Sequence, residues 1–374
     1  MPKRAFAAVL LTTLFCFTSR AQGTLDIYFI DVGRSVGNAT LLVTPTGQSM
    51  LLDAGPAYAA QRVLAVLKQA GVQQLDYLVI THFHADHYGA MTKIASEMPI
   101  LHFIDHGPSV EAGKDDPWWK QRRGPWFRPN MGKEYDKNYH AYLDALPKDR
   151  HTTVHPGDTI PIAGAQVVVL CSAGKVLTSP LPGAGQPNPA CAGADRRADD
   201  DAEDAQSIGV RVSLNSFHFV YLGDLTWNLA TDLFCPNNLV GSADAYLITH
   251  HAQSMPKEMG DYYYGLSACP KAEVHGLRPR VAFLSLGALG HKQGTSEAMD
   301  NVHSSPGLED IWQTEFIESG GEKQHNAPKE LIANIGDNNQ SPARYIKLSA
   351  HPDGSFDVTN SRTNFTRHYA ARKQ

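Results

Sequence analysis

Short apolar runs separated by turn residues open the chain. Leu25–Asp31, Ala39–Val43 and Ser49–Asp53 are rich in aliphatic and aromatic side chains and are bounded by glycine, proline or asparagine, which predicts three strands with tight turns between them. The spacing of Val63, Leu64, Val66 and Leu67 then predicts a helix over Ala59–Ala70, closed by Gly71. Leu75–Ile80 reads as a buried strand, Gly89–Glu97 as a helix ending before Pro99, and Ile100–Ile104 as another strand. This βαβα order marks an α/β layered domain.

From Gly107 to about Tyr139 the periodicity breaks, and the segment is expected to be a long irregular insert. Regular runs resume at Gln166–Leu170. A Pro/Gly/Ala-rich stretch over 179–194 and the acidic run Asp199–Asp204 follow, the latter expected on a solvated face. Ser207–Leu214 and Phe217–Leu222 predict a hairpin, and Ala245–Thr249 and Val281–Leu286 two further buried strands. Beyond Glu315 the chain reads as auxiliary. Tyr345–Leu348 and Ser355–Thr359 flank His351-Pro352-Asp353-Gly354, a β-hairpin that resembles no catalytic element.

Composition narrows the class. The 374 residues are 42% apolar and 19% charged, enough for a sizeable core, and the net charge of −5 gives no footprint for nonspecific nucleic-acid binding. Residues 1–21 read as a signal peptide. Lys3 and Arg4 precede the apolar Ala5–Phe17, and Ser19-Arg20-Ala21 offers a cleavage site, so a secreted or periplasmic protein starting near Gln22 is expected. No later run reaches the roughly 18 apolar residues of a membrane span. Cys171, Cys191, Cys235 and Cys269 would remain, permitting two disulfides in any of three pairings and lacking the Cys-x-x-Cys spacing of a thiolate zinc site.

The candidate chemistry lies just after the strand Leu75–Ile80. His82, His84, Asp86 and His87 fall within six positions. Neutral imidazole and carboxylate are the ligands of Zn²⁺ and related divalent ions, and such a cluster has no place unpaired in a core. His82 and His84, two apart on an extended turn, can face one ion, and Asp86 and His87 a second. Asp224 follows an apolar strand and Gly223. It either bridges both ions with its two oxygens or caps the helix expected near Thr226. His250 and His251 end the strand Ala245–Thr249, and His250, nearer the strand, is expected to complete the second ion. In the insert, Trp118, Trp119, Trp126 and Phe127 alternate with Lys120, Arg122, Arg123 and Arg128. Either the tryptophans pack on the domain surface, or the insert is a substrate lid in which Trp118, Trp119 and Arg122 bind substrate; His251 is a further expected substrate-binding residue.

His-x-His-x-Asp-His after an apolar strand resembles the signature of the metallo-β-lactamase-fold hydrolases. Phe29-Ile30-Asp31-Val32-Gly33 with Ser49–Gly55 resembles the opening of the ComEC/Rec2 type of that fold. Tyr221-Leu222-Gly223-Asp224-Leu225 and Leu247-Ile248-Thr249-His250-His251 resemble its later motifs, in the same order, between about residues 25 and 315. The resemblance implies a four-layer αββα sandwich over residues 22–315, with 316–374 as a C-terminal β-hairpin extension packed on the same domain. It implies that Asp53 supports the metal loop, and that the last ligand of the first ion precedes the 207–222 hairpin. Asp204 occupies that place where most dinuclear members have histidine; His151, His155 or water are the alternatives. Its Gly-His-Pro motif matches Gly290-His291-Lys292 with lysine for proline, which puts His291 at the active site as a catalytic residue beside Asp86. The Gly-Ser that usually follows the His-His pair is Ala252-Gln253 here.

The resulting expectation is a hydrolase with two divalent ions, Zn²⁺ or else Mn²⁺ or Fe, that uses a bridging hydroxide. A small-molecule or polymeric ester is its expected substrate, a phosphodiester first, with nucleic acid only in the role of substrate. The alternatives are a lactonase or β-lactamase-like enzyme and a non-catalytic module with structural metals.

Overall fold

A computed structural model describes residues 23–124, 127–287, 294–318, 323–336 and 342–372. The signal-like segment, Trp126 and His291 lie outside the described residues.

The first sheet begins with β1 (Leu25–Ile30), β2 (Thr40–Val43) and β3 (Ser49–Leu52), an antiparallel meander. α1 (Ala60–Gln69) leads into β4 (Leu75–Val79), which lies parallel to β3. The short α2 (Ala85–Tyr88) and α3 (Met91–Glu97) return the chain to β5 (Ile100–Asp105), parallel to β4. α4 (Asp116–Arg123) and α5 (Met131–Ala145) separate β5 from the edge strand β6 (His151–Thr153).

The second sheet starts with β7 (Thr159–Ile160), β8 (Gln166–Ser172) and the side strand β9 (Lys175–Val176). β10 (Gly209–Leu214) and β11 (Phe217–Tyr221) form its hairpin. α6 (Trp227–Phe234) precedes β12 (Ala245–Leu247), and α7 (Asp261–Gly265) and α8 (Lys271–Leu277) precede β13 (Val281–Leu284). α9 (Ser296–His303), β14 (Asp310–Glu315) and β15 (Ile332–Asn334) finish that sheet. The last strands, β16 (Tyr345–Ala350), β17 (Phe356–Asn360) and β18 (Thr366–Tyr369), go back to the first sheet, where β16 pairs antiparallel with β1. The orders are 18-17-16-1-2-3-4-5-6 and 15-14-13-12-11-10-8-7.

Strand alternation explains the layering. Leu25, Ile27 and Phe29 of β1 enter the core between the sheets, while Tyr28 and Ile30 face the helices α1, α3 and α5. Phe217, Phe219 and Tyr221 of β11 face the same inter-sheet core; Val220 and Leu222 face α6, α8 and α9. Phe29 stacks on Phe283 across the sheets with ring centroids 3.9 Å apart. The result is the expected four-layer αββα sandwich, with the C-terminal hairpin, extended by β18, as the outer part of the first sheet.

The insert departs from expectation. It is helical over α4 and most of α5, because Asp115 caps α4 by accepting from the Trp118 N–H and Trp119 buries against α5. Charged residues on its outer faces hid the apolar stripe. The cysteines form one bond, Cys191–Cys235, while Cys171 and Cys269 are buried free thiols. No described helix is long and apolar enough to cross a membrane.

Candidate metal centre

The loops that follow β4, β11 and β12 meet at one end of the sandwich, where the two sheets splay and strand ends present side chains. After β4 the chain stays extended to His84, which precedes α2, so His82 and His84 point one way and Asp86 and His87 emerge from the first helical turn. After β11 the turn at Gly223 has φ of 61°, and a Cβ there would sit 3.0 Å from Ser207 and 3.2 Å from Thr81. That close approach brings Asp224 to the histidines, with its N–H donating to Ser207 Oγ at 3.0 Å.

After β12, His250, His251 and Ala252 all adopt left-handed backbone conformations, with φ of 49°, 53° and 56°. Each costs on the order of 1 kcal/mol outside glycine. The turn is held from below. Thr249 and Tyr246 both donate hydroxyls to the buried Glu273 carboxyl, at 2.6 and 2.5 Å, and the Thr249 N–H donates to Tyr246 Oη at 3.0 Å.

Two groups of donors result. In the first, His84 Nδ1 is 2.8 Å and His82 Nε2 3.6 Å from Asp204 Oδ1. In the second, His87 Nε2 and His251 Nε2 each lie 3.9 Å from Asp86 Oδ2. Asp224 Oδ2 stands between the groups, 3.9 Å from His82, 3.3 Å from His87 and 3.8 Å from His251. His250 Nε2 faces Asp224 at 3.5 Å and Asp204 at 3.9 Å, on the side of the first group.

Hydrogen bonds behind the ligands set the tautomers. His87 Nδ1 donates to Asp53 at 2.7 Å and His251 Nδ1 to the Ser285 carbonyl at 2.7 Å. His82 Nδ1 donates to Thr81 Oγ1 at 3.0 Å, because that hydroxyl is itself committed to Asp53 at 3.0 Å. Each of the three rings therefore turns its Nε2 into the site. His82 Nε2 is buried without a hydrogen-bond partner. This donor set fits divalent cations, which would satisfy lone pairs and carboxylates that otherwise face one another.

Charge follows the same logic. Burial opposes ionisation of Asp224, but His87, His250 and His251 outweigh it and hold the carboxyl well below its ordinary range. Burial, aided by His87, keeps His82 well below the ordinary imidazole value, and burial also lowers His251. Burial opposes charge on His84 and His87 too, but Asp204 and Glu111 around the first and Asp224 and Asp53 around the second outweigh it and hold both rings well above the ordinary imidazole value. These two would release a proton to an ion, neutral imidazole being the ligating form.

A buried outer layer supports these residues. Asp53 accepts from the Thr81 N–H at 2.8 Å and from the Tyr221 hydroxyl, besides His87. Glu203 accepts from the Phe83 N–H at 3.0 Å, Ser109 Oγ at 2.6 Å, the Val110 N–H at 2.9 Å and His106 Nε2 at 3.0 Å, tying the insert to the metal loop. Glu111 Oε1 lies 3.3 Å from His84 Nε2.

The placement of the expected residues is uneven. Asp204 joins His82 and His84; His151 instead pairs with Asp105 at 2.8 Å. The imidazole beside Asp86 and His87 is His251, not the expected His250, because the left-handed turn aims consecutive side chains to opposite sides of Asp224. Trp119 is 2% exposed and serves packing rather than a substrate face. Trp118 is half-buried beneath Arg122, and Arg122 is bound to Asp201 at 2.7 Å. The arginine that reaches the centre is Arg123, whose Nη2 lies 3.0 Å from His84 Nε2 and 3.8 Å from Glu111. Glu111 and Glu203 carried no sequence signal beyond their charge, whereas Arg123 belonged to the aromatic–arginine set of the insert.

Residues 32–185 match the family model of the Metallo-beta-lactamase superfamily. No curated protein matches the chain. Among solved structures it is similar to CmlA, a diiron beta-hydroxylase from Streptomyces venezuelae, at 14% identity and a TM-score of 0.42, over 76% of this chain and 50% of that one. The chain thus spans about half the length of that enzyme. It is similar to the metallo-beta-lactamase fold protein YhfI from Bacillus subtilis at 10% identity and a TM-score of 0.43, over 87% of this chain and 100% of the other. A diphosphatase from the PhnP family matches at 11% identity and a TM-score of 0.39, over 86% and 97% of the two chains.

Proposed function

On this metallo-beta-lactamase superfamily fold, we propose an exported two-metal hydrolase of the ComEC/Rec2-like subgroup that cleaves phosphodiesters. His82, His84 and Asp204 would hold one ion, Asp86, His87 and His251 the other, and Asp224 both. Bound ions supply Lewis acidity and lower the pKa of water to give a nucleophile near neutral pH. The imidazole and carboxylate donors suit Zn²⁺, and accept Mn²⁺ or Fe.

The observation that carries the substrate class is Arg123. The insert holds its guanidinium at His84, and its Nε–H is buried without a partner. A planar cation with unused donors is suited to the oxygens of a phosphoryl group, which it binds with geometry and charge together. Asp53 holds the His87 ring, Glu111 lies beside His84 and Glu203 anchors the Phe83 backbone, so the residues that would hold the ions are oriented by a buried outer layer. The ComEC/Rec2-like assignment rests on the motifs around Asp31, Asp53, Asp224 and His250. Export is supported by the signal-like 1–21 and by the Cys191–Cys235 disulfide, a bond typical of oxidising compartments.

The test is a chromogenic panel on metal-loaded protein. Bis-p-nitrophenyl phosphate should turn over, with lactones and nitrocefin at least about 10-fold slower, and Arg123→Gln should raise KM for the diester. The reverse preference would favour the lactonase or β-lactamase reading, and inertness towards the whole panel the binding-module reading.

A further inference from the structure

Asp86 has two faces. One carboxylate oxygen is turned to His87 and His251, and the same side chain borders a cavity of about 420 Å³ that runs away from the histidines. The cavity lies between the loops at 35–36 and 56–57 and the helices α2, α3 and α5. Val36, Pro56, Ala57 and Ala141 give it apolar walls, and Asp86 is the one charged residue in its lining among the described residues.

Its floor is fixed by close backbone contacts. A Cβ on Gly89 would lie 2.8 Å from the Ala57 nitrogen, and one on Gly37 2.6 Å from the Asp86 carbonyl oxygen. These segments already touch with no room for a methyl group, which fixes how α2 sits against the 56–57 loop beside the cavity. Ligand cavities commonly span roughly 300–1,000 Å³ and are mostly apolar with a few polar groups at the edge. A larger hollow of about 690 Å³, beside His155 and Lys175, contains none of the site residues.

Electrostatics assigns the occupant. The cavity walls are mostly apolar, and no cation is among the described residues that line it. The guanidinium of Arg123 stands at the other donor group, beside His84. An ester lying across the centre therefore has its charge drawn towards Arg123 and its neutral arm towards the cavity. We infer that this cavity binds an uncharged apolar arm of the substrate, an aryl or branched alkyl group, and thereby selects among esters. The inference rests on the hydrolase reading for its place beside the reacting bond, but its test needs no turnover.

Phenylphosphonate and methylphosphonate would be titrated calorimetrically into the metal-loaded full chain, into Ala141→Trp and into Ala57→Trp. Both alanines are exposed at the rim, so the larger side chain can be carried without disturbing the core. The expected result is that phenylphosphonate binds the wild type about 10-fold or more tighter, in line with the selectivity of apolar pockets. Either tryptophan should cut that ratio below about 3-fold. Equal affinities in the wild type, binding of neither phosphonate, or a ratio that both tryptophans leave intact would overturn the inference. Failure to cleave diesters would refute the diesterase reading alone, since this comparison is of binding.

Discussion

His87 Nε2 and His251 Nε2 face each other at 3.3 Å, although each ring has committed its Nδ1–H to a group outside the site. Both Nε2 atoms are thus aimed at one point, where a cation held with Asp86 and Asp224 would take the place of a proton. The pair distinguishes the two adjacent histidines. His251→Ala should leave about one ion per chain and reduce turnover at least about 100-fold, more than an outer-shell loss. His250→Ala should keep the second ion. Metal analysis of both variants checks this, and the opposite pattern would return the role to His250.

Glu111 Oε1 lies 3.3 Å from His84 Nε2, the ring nitrogen that does not face Asp204. Glu111→Gln keeps the size and one oxygen but removes the charge that strengthens His84 as a donor. Metal affinity, measured by competition with a chromogenic chelator, should fall about 10–100-fold while the fold is kept. Unchanged affinity would show that the contact is incidental.

The strand and loop carrying His82 to His87 were legible because these donors are neighbours in sequence and follow an apolar strand. Asp224 stood out because it too follows an apolar strand, after a glycine. Which of His250 and His251 faces Asp86 was not, because the answer depends on three successive left-handed residues that no composition rule demands. The choice between Arg122 and Arg123 turns on helical register in a segment whose charged surface masked its helices. Glu111 and Glu203 act on residues 27 and 120 positions away, and such long-range pairs leave no local pattern. Glu203 in particular sits in an acidic run that reads as solvated, yet it is fully buried.

Glu273 gives a pH prediction away from the ligands. Burial pushes its carboxyl up to about 7 from an ordinary 4.5, against the hydrogen bonds from Thr249 and Tyr246. A raised folded-state pKa means that its contribution to stability is fully present below about pH 4.5 and is lost as pH rises through about 7. Glu273→Gln stays neutral and keeps an acceptor, so it should be more stable than wild type at pH 8, by on the order of 3 kcal/mol at most, and not at pH 4.5. Chemical denaturation of both proteins at the two pH values reads this difference, and parallel pH profiles would contradict it.

The Cys191–Cys235 disulfide closes a 44-residue separation. Its removal as the double Cys→Ser variant should cost about 2–4 kcal/mol of unfolding free energy. Reductant should destabilise the wild type to the same extent and leave the variant unmoved. Buried Cys171 and Cys269, whose thiols burial pushes up, should resist alkylation in the folded protein.

The central claim is a paired metal centre, and metal stoichiometry tests it most directly. Protein purified without chelator and analysed by elemental mass spectrometry should hold two divalent ions per chain, falling to about one in Asp86→Asn with at least about 100-fold lower turnover. A folded, unchelated preparation with a metal content near zero would contradict the account.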